Sequence, residues 1–158
     1  VSEQPRPSPE AEILESVEEL FREVEVEQPQ VGIIMGSESD KPAMQPAGQV
    51  LEECGIRYEV RVMSAHREPE VVSDYCGGAR MRGLRVIIAG AGMSAALPGV
   101  AAAQTDLPVI AVPLLGDSLG GLDSLLSAVQ MPPGVPVACV AINGARNAGI
   151  LAARMLNN

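Results

Sequence analysis

The residue types suited to chemistry fall in three short stretches: Gly36-Ser37-Glu38-Ser39-Asp40, Ser64-Ala65-His66-Arg67 and Gly90-Ala91-Gly92-Met93-Ser94-Ala95. His66 is the only histidine in the chain, and imidazole is the side chain whose ordinary pKa lets it give and take a proton near pH 7. Arg67 beside it offers a planar fork that fits phosphate or carboxylate. Ser37 and Ser39 can donate to an anion, while Asp40 can accept from sugar hydroxyls or an amine. Small residues in the third stretch let a ligand approach backbone N–H groups closely. These types describe proton transfer on a small anionic molecule.

Each stretch also has a plainer reading. Gly36–Asp40 works as a strand-to-helix turn with good capping residues, and it lacks the Gly-Lys-Ser/Thr ending of a Walker A loop. Gly90–Ala95 matches the dinucleotide pattern G-x-G-x-x-A. It follows the third strand instead of the first, however, and Asp106 and Asp117 are poorly spaced for a ribose-binding acid. A lone histidine is commonly structural, although Ser64 and Arg67 beside it at a strand end favour function. A hydrolase using Ser37 or Ser94 would need a G-x-S-x-G elbow, which the chain lacks. One histidine without an acidic cluster makes no metal site.

Positioning these stretches falls to short apolar strands expected at Val31–Met35, Tyr58–Met63, Arg85–Ala89, Val109–Pro113 and Val137–Ile142. Helical sequence follows to about Cys54, from Pro69 to about Arg82, from near Leu97-Pro98, over Asp123–Gln130 and over Asn147–Leu156. Such alternation predicts an α/β fold, a parallel sheet with helices on both faces. Ligands bind these sheets beyond the carboxyl ends of the strands, near the switch in strand order, where helix N-termini favour anions. The first three strands deliver the three stretches there.

At 158 residues the chain has room for one α/β domain, residues 31–158, after an acidic N-terminal extension, residues 1–30. Nine Glu and two Arg place −7 in the extension, leaving −2 of the total −9 for the rest. A domain so nearly balanced carries no nucleic-acid footprint. Residues 1–9 read as a Pro-rich tail, and Glu10–Val26 as an amphipathic helix with Ile13, Leu14, Val17, Leu20, Phe21 and Val24 on one stripe. That stripe is expected to dock on the domain, or else to recruit another protein. Cys54, Cys76 and Cys139, odd in number and without C-x-x-C spacing, are expected as buried small hydrophobes in a reducing compartment. With no signal-peptide pattern and no apolar run of about 18 residues, the expectation is a cytoplasmic chain without membrane contact. An organelle lumen is the alternative if a targeting segment preceded Val1.

In order along the chain, five motifs resemble the PurE family of de novo purine biosynthesis. They are Met35-Gly-Ser-Glu-Ser-Asp40, Ser64-Ala-His-Arg67, Ile88-Ala-Gly-Ala-Gly92, Leu97-Pro-Gly99 and Asp123-Ser-Leu-Leu-Ser-Ala-Val-Gln-Met-Pro132. The resemblance spans residues 31–156. It implies a three-layer flavodoxin-like (Rossmann-like) fold, a homo-octamer with sites at subunit interfaces, a small ribonucleotide substrate, and neither metal nor organic cofactor. The usual bacterial activity is that of N5-carboxyaminoimidazole ribonucleotide mutase, which moves a carboxylate from N5 to C4 of the imidazole. A second class adds carbon dioxide directly to aminoimidazole ribonucleotide. The resemblance makes His66 the proton shuttle and Ser37, Asp40 and Arg67 substrate-binding, with Arg67 suited to the phosphate. Gly36, Ser39, Ser64, Ala65, the Gly90, Ala91 and Gly92 backbone, Ser94 and Leu97 complete the cradle.

The chain departs from the family at one place. Where the mutase class usually reads Gly-Gly-Ala-Ala-His-Leu-Pro-Gly, it reads Gly92-Met-Ser-Ala-Ala-Leu-Pro-Gly99, so Ala96 replaces a second histidine. The direct carboxylase class also lacks that histidine and carries Ser near position 94. Gln130-Met131-Pro132, by contrast, looks like the mutase class. The expectation is therefore the mutase, with the direct carboxylase as the alternative. A nucleotide-binding relative without this turnover, or acting on another nucleotide, is a further one.

Overall fold

In the computed structural model, which describes residues 8–157, five parallel strands lie in the order β2-β1-β3-β4-β5. They are β1 (Val31–Met35), β2 (Tyr58–Val62), β3 (Val86–Ala91), β4 (Val109–Pro113) and β5 (Ala138–Cys139). The helices are α1 (Pro9–Glu27), α2 (Lys41–Glu53), α3 (Pro69–Gly77), α4 (Leu97–Ala103), α5 (Leu122–Val129) and α6 (Ala145–Leu156). This is the flavodoxin-like α/β architecture. The strand order reverses at β1, because β2 lies on one side of it and β3 on the other.

Alternate side chains leave the sheet on opposite faces, and the apolar strands use both. Val31, Ile33, Met35, Val86, Ile88, Ile110 and Val112 pack with Met44 and Leu51 of α2 and Ala148 and Ala152 of α6. Ile34, Ile87, Ala89 and Val109 pack on the other side with Val72 and Cys76 of α3 and Leu97 and Ala101 of α4. Burial of each Ile or Leu contributes about 1.5–3 kcal/mol, so the two layers hold the sheet between them. Helices α2 and α6 approach to backbone contact: a Cβ on Gly149 would lie 2.7 Å from the Ala47 carbonyl oxygen.

Register sets the height of the site. Val31 pairs with Tyr58 and Val86, and Met35 with Val62 and Gly90, so β1, β2 and β3 end close to one level. A proline then opens each following helix: Pro42 in α2, Pro69 in α3 and Pro98 in α4. Proline at the first turn lacks an N–H that the helix would leave unpaired anyway, and its fixed φ starts the helix at a set distance from the strand.

Several expectations need correction. Strand β3 runs through Gly90 and Ala91, held in the ladder by the Leu114 N–H donating to the Ala91 carbonyl at 2.9 Å. Strand β5 keeps only two residues. Past Cys139 the segment follows β4 through single bonds, from Val140 N–H to Ala111 and from Asn143 N–H to Pro113, before Asn143 turns at φ 56°. The third helix stops at Gly77, and a single 3-10 turn covers Arg80–Arg82. As the edge strand, β2 is only partly covered. Cys54 is exposed and Cys139 half-buried, leaving Cys76 as the one cysteine of the core; all three are free thiols.

The expected docking of α1 is not made either. Its stripe residues Ile13, Leu14, Val17, Leu20 and Phe21 are 41–65% exposed. Gln28 leaves the helix in extended conformation (φ −73°, ψ 138°), and three residues lead directly into β1. Among the described residues no helix is long and apolar enough to cross a membrane.

Candidate active site

The loops that leave β1, β2 and β3 line a cleft of about 420 Å³, within the range of small-molecule sites. Gly36, Ser37, Ser39 and Asp40 come from the first loop, Ser64, Ala65, His66 and Arg67 from the second, and Gly92, Met93, Ser94, Ala96 and Leu97 from the third, with Ala91 at the end of β3. The position is the one physical topology favours, beside the strand-order switch at the carboxyl edge.

In the first loop, the Ser37 hydroxyl accepts from the Ser39 N–H at 3.3 Å and shares a 2.9 Å hydrogen bond with the Ser39 hydroxyl. This caps a single 3-10 turn, Glu38–Asp40, that hands the chain to α2. Asp40 is the N-cap of α2, yet its side chain makes no capping bond. Its carboxylate is thus left to face the cleft. Burial pushes the Asp40 carboxyl above its ordinary value, and the Ser37 N–H and the Arg67 charge only partly oppose that.

Arg67 joins two of the loops. Its Nη2 donates to the Gly36 carbonyl at 2.9 Å, and its backbone N–H donates to the Ser64 hydroxyl at 3.3 Å. The guanidinium has further N–H groups for an anion, and both Arg67 and His66 are exposed. Ser64 is buried, consistent with its use as an anchor: the Glu68 N–H also donates to its carbonyl at 2.8 Å. The result is one imidazole, one carboxylate and one guanidinium around a space walled by hydroxyls and small apolar residues. Among the described residues no three His, Cys, Asp or Glu side chains converge as metal ligands do.

Every residue nominated from sequence lines this cleft except Gly90. That glycine lies within β3 under the Met44 side chain, in space that a Cβ would occupy, so its role is to let α2 sit close. Met93 and Ala96 line the cleft without having been nominated. Met93 holds φ 51°, a left-handed conformation that costs a non-glycine residue about 1–2 kcal/mol, and its side chain is 71% exposed. Its place right after Gly92 was the only available signal. A second cavity, about 300 Å³, lies between α2 and the edge of the sheet. Ile33, Met35, Pro42, Met44 and Val60 make it apolar, and it holds none of the nominated residues.

Comparison with known proteins decides the family. The sequence profile of the AIR carboxylase family matches residues 30–158. The chain belongs to that family. Within the AIR carboxylase family, the N5-carboxyaminoimidazole ribonucleotide mutase of Thermotoga maritima is 60% identical over 128 residues, 81% of this chain and 75% of its own length. The protein of that name from Mycobacterium tuberculosis H37Rv is 62% identical over 130 residues, 82% and 75% of the two chains. The phosphoribosylaminoimidazole carboxylase of Schizosaccharomyces pombe is 59% identical over 131 residues, 83% of this chain and 24% of its own length. In three dimensions, a crystal structure of Treponema denticola PurE matches with a TM-score of 0.73 at 33% identity, covering 82% of this chain and 81% of that one.

Proposed function

We propose that this protein is an N5-carboxyaminoimidazole ribonucleotide mutase, an isomerase of purine biosynthesis. The observation that carries the reading is the 58–62% identity to relatives of that name, over almost all of the α/β domain.

The cleft chemistry fits such a reaction. His66 in its protonated form gives a proton to N5 of the substrate, the N5–carboxyl bond breaks, and carbon dioxide and the aminoimidazole are held together. C4 of the imidazole then attacks the carbon dioxide, forming the carbon–carbon bond. Neutral His66 takes the C4 proton, restoring both the aromatic ring and its own starting state. One imidazole serves as acid and then as base, and small walls such as Ala65, Gly92 and Ala96 keep water from diluting the trapped gas. Arg67 takes the phosphate, Asp40 accepts from ribose hydroxyls or the amine, and Ser37, Ser39, Ser64 and Ser94 complete the polar contacts. Leu97, Gly36 and Ala91 shape the space.

Residues 1–30 form an extension to the catalytic domain at 31–158. The domain works as a homo-octamer with sites at subunit interfaces, which fits a cleft whose His66 and Arg67 are exposed in the single chain. Free thiols and nucleotide chemistry suit the cytoplasm.

One observation favours a second reading, direct carboxylation of aminoimidazole ribonucleotide by carbon dioxide: the cleft presents the Ala96 methyl where a mutase carries histidine. A paired assay on one preparation separates the readings. The mutase converts the N5-carboxy ribonucleotide without added bicarbonate, whereas the carboxylase needs bicarbonate and the uncarboxylated ribonucleotide. His66→Asn abolishes conversion by at least about a thousand-fold while sparing ligand binding. Wild-type protein that binds ligand yet turns over neither substrate is a nucleotide-binding protein, and the enzyme reading is then wrong.

A further inference from the structure

Helix α1 lies outside the residues that match the family, and its apolar stripe is bare. The stripe has a heptad spacing: Val17 and Val24 fall at a positions, Ile13 and Leu20 at d, and Leu14 and Phe21 at e. Valine at a with leucine at d is the pattern of two-stranded coiled coils. Glu12, Glu15, Glu18, Glu19 and Glu25 fall at b, c and f, positions outside such a seam. Glu23 at g, Glu10 at the first a and Glu27 at the last d flank it or stand at its ends, and Arg22, at f, is the only base in the helix.

We propose that α1 pairs with α1 of a second copy of this chain through the Ile13, Val17, Leu20 and Phe21 stripe. The charge distribution decides for this occupant, because an acidic helix that bound a basic partner would place carboxylates beside the seam, and here most of them avoid it. Area also suffices. Five side chains of roughly 150–200 Å² each, exposed by 41–65%, offer on the order of 500 Å² per helix. Two copies therefore bury about 1,000 Å², the lower bound of a specific interface. Most of the stability of an amphipathic helix comes from packing its apolar face, and pairing supplies the packing that this 19-residue helix lacks. The residual repulsion among glutamates at the seam ends gives the contact a signature, since salt screens like charges and so strengthens it.

The test is disulfide trapping in the full-length chain with exposed Cys54 replaced (Cys54→Ser). Val17→Cys lies mid-helix on the seam, so it meets its counterpart in either helix orientation, and Glu18→Cys on the outer face is the control. Under mild oxidation Val17→Cys should give at least five times more covalent dimer than Glu18→Cys. The yield should rise between 50 and 500 mM NaCl and be lost on adding Leu20→Glu. Equal trapping at both positions, or a yield that falls with salt, overturns the proposal. Light scattering on full-length Leu20→Glu reads the assembly of the α/β domain separately. An octamer without Val17→Cys trapping therefore refutes helix pairing alone, and trapping without an octamer refutes only the octamer.

Discussion

The Arg67 guanidinium donates from Nη2 to the carbonyl oxygen of Gly36 at 2.9 Å, across 31 residues of sequence. The same side chain that can hold an anion therefore also fixes the loop carrying Ser37, Ser39 and Asp40. Under the proposed function, replacing it removes a ligand contact and loosens its neighbours together. Arg67→Ala should raise KM about 10–100-fold, the size of one lost charge-assisted hydrogen bond. Arg67→Lys keeps the charge but loses the planar fork, and should recover only part of that loss. Steady-state kinetics check both, with thermal melting to show that the fold persists.

Asp40 predicts a conflict between stability and binding. Its folded-state pKa is raised by burial, so the folded protein holds the proton more tightly than the unfolded chain does. Ionisation therefore costs stability, fully so above the raised value and not at all below the ordinary 3.8. Asp40→Asn removes that cost. The variant should melt higher than wild type at pH 7, with the gap closing as pH falls toward 3.8, while its substrate affinity drops. Melting curves from pH 3.5 to 8 give the sign directly.

Much of this was legible in the sequence because two periodicities are simple. Alternating apolar runs such as Val31–Met35 mark strands, and the Gly, Ser and Pro that follow each run mark where the chain turns and the next helix begins. What failed to show was decided by contacts distant in sequence. Gly90 reads as loop, yet Met44 of α2 sits over it and the ladder to β4 continues beneath. Val137–Ile142 has strand composition, but at the sheet edge it finds few partners beyond Ala138 and Cys139. An apolar stripe shows that a helix has a face to bury, not what buries it, and so the expected docking of α1 was wrong.

The three thiols should separate by reactivity. Burial pushes the Cys76 thiol up to about 11, with Arg82 only partly opposing it. At pH 8 it therefore holds about a hundred-fold less thiolate than an ordinary cysteine. Exposed Cys54 should react with a thiol reagent first, half-buried Cys139 more slowly, and Cys76 only on unfolding. A time course with peptide mapping checks the order.

Gly149→Ala should destabilise the protein despite alanine's better helix propensity. The propensity gain is at most about 1 kcal/mol. The new methyl would meet the Ala47 carbonyl at 2.7 Å and the Ala47 Cα at 3.2 Å, backbone atoms that cannot swing aside. Overpacking of this kind costs about 1–3 kcal/mol, so the denaturant midpoint should fall.

That contact between α6 and α2 also orders events in time. Every residue lining the cleft lies between Gly36 and Leu97, so a growing chain has emitted all of them well before α6 leaves the ribosome. Yet α6 seals the layer that seats α2, and Asp40 is the N-cap of α2. Until Ala145–Leu156 emerges, Asp40 hangs from a helix with one side uncovered. Among the described helices, the one synthesised latest is thus the one that seats the helix behind Asp40.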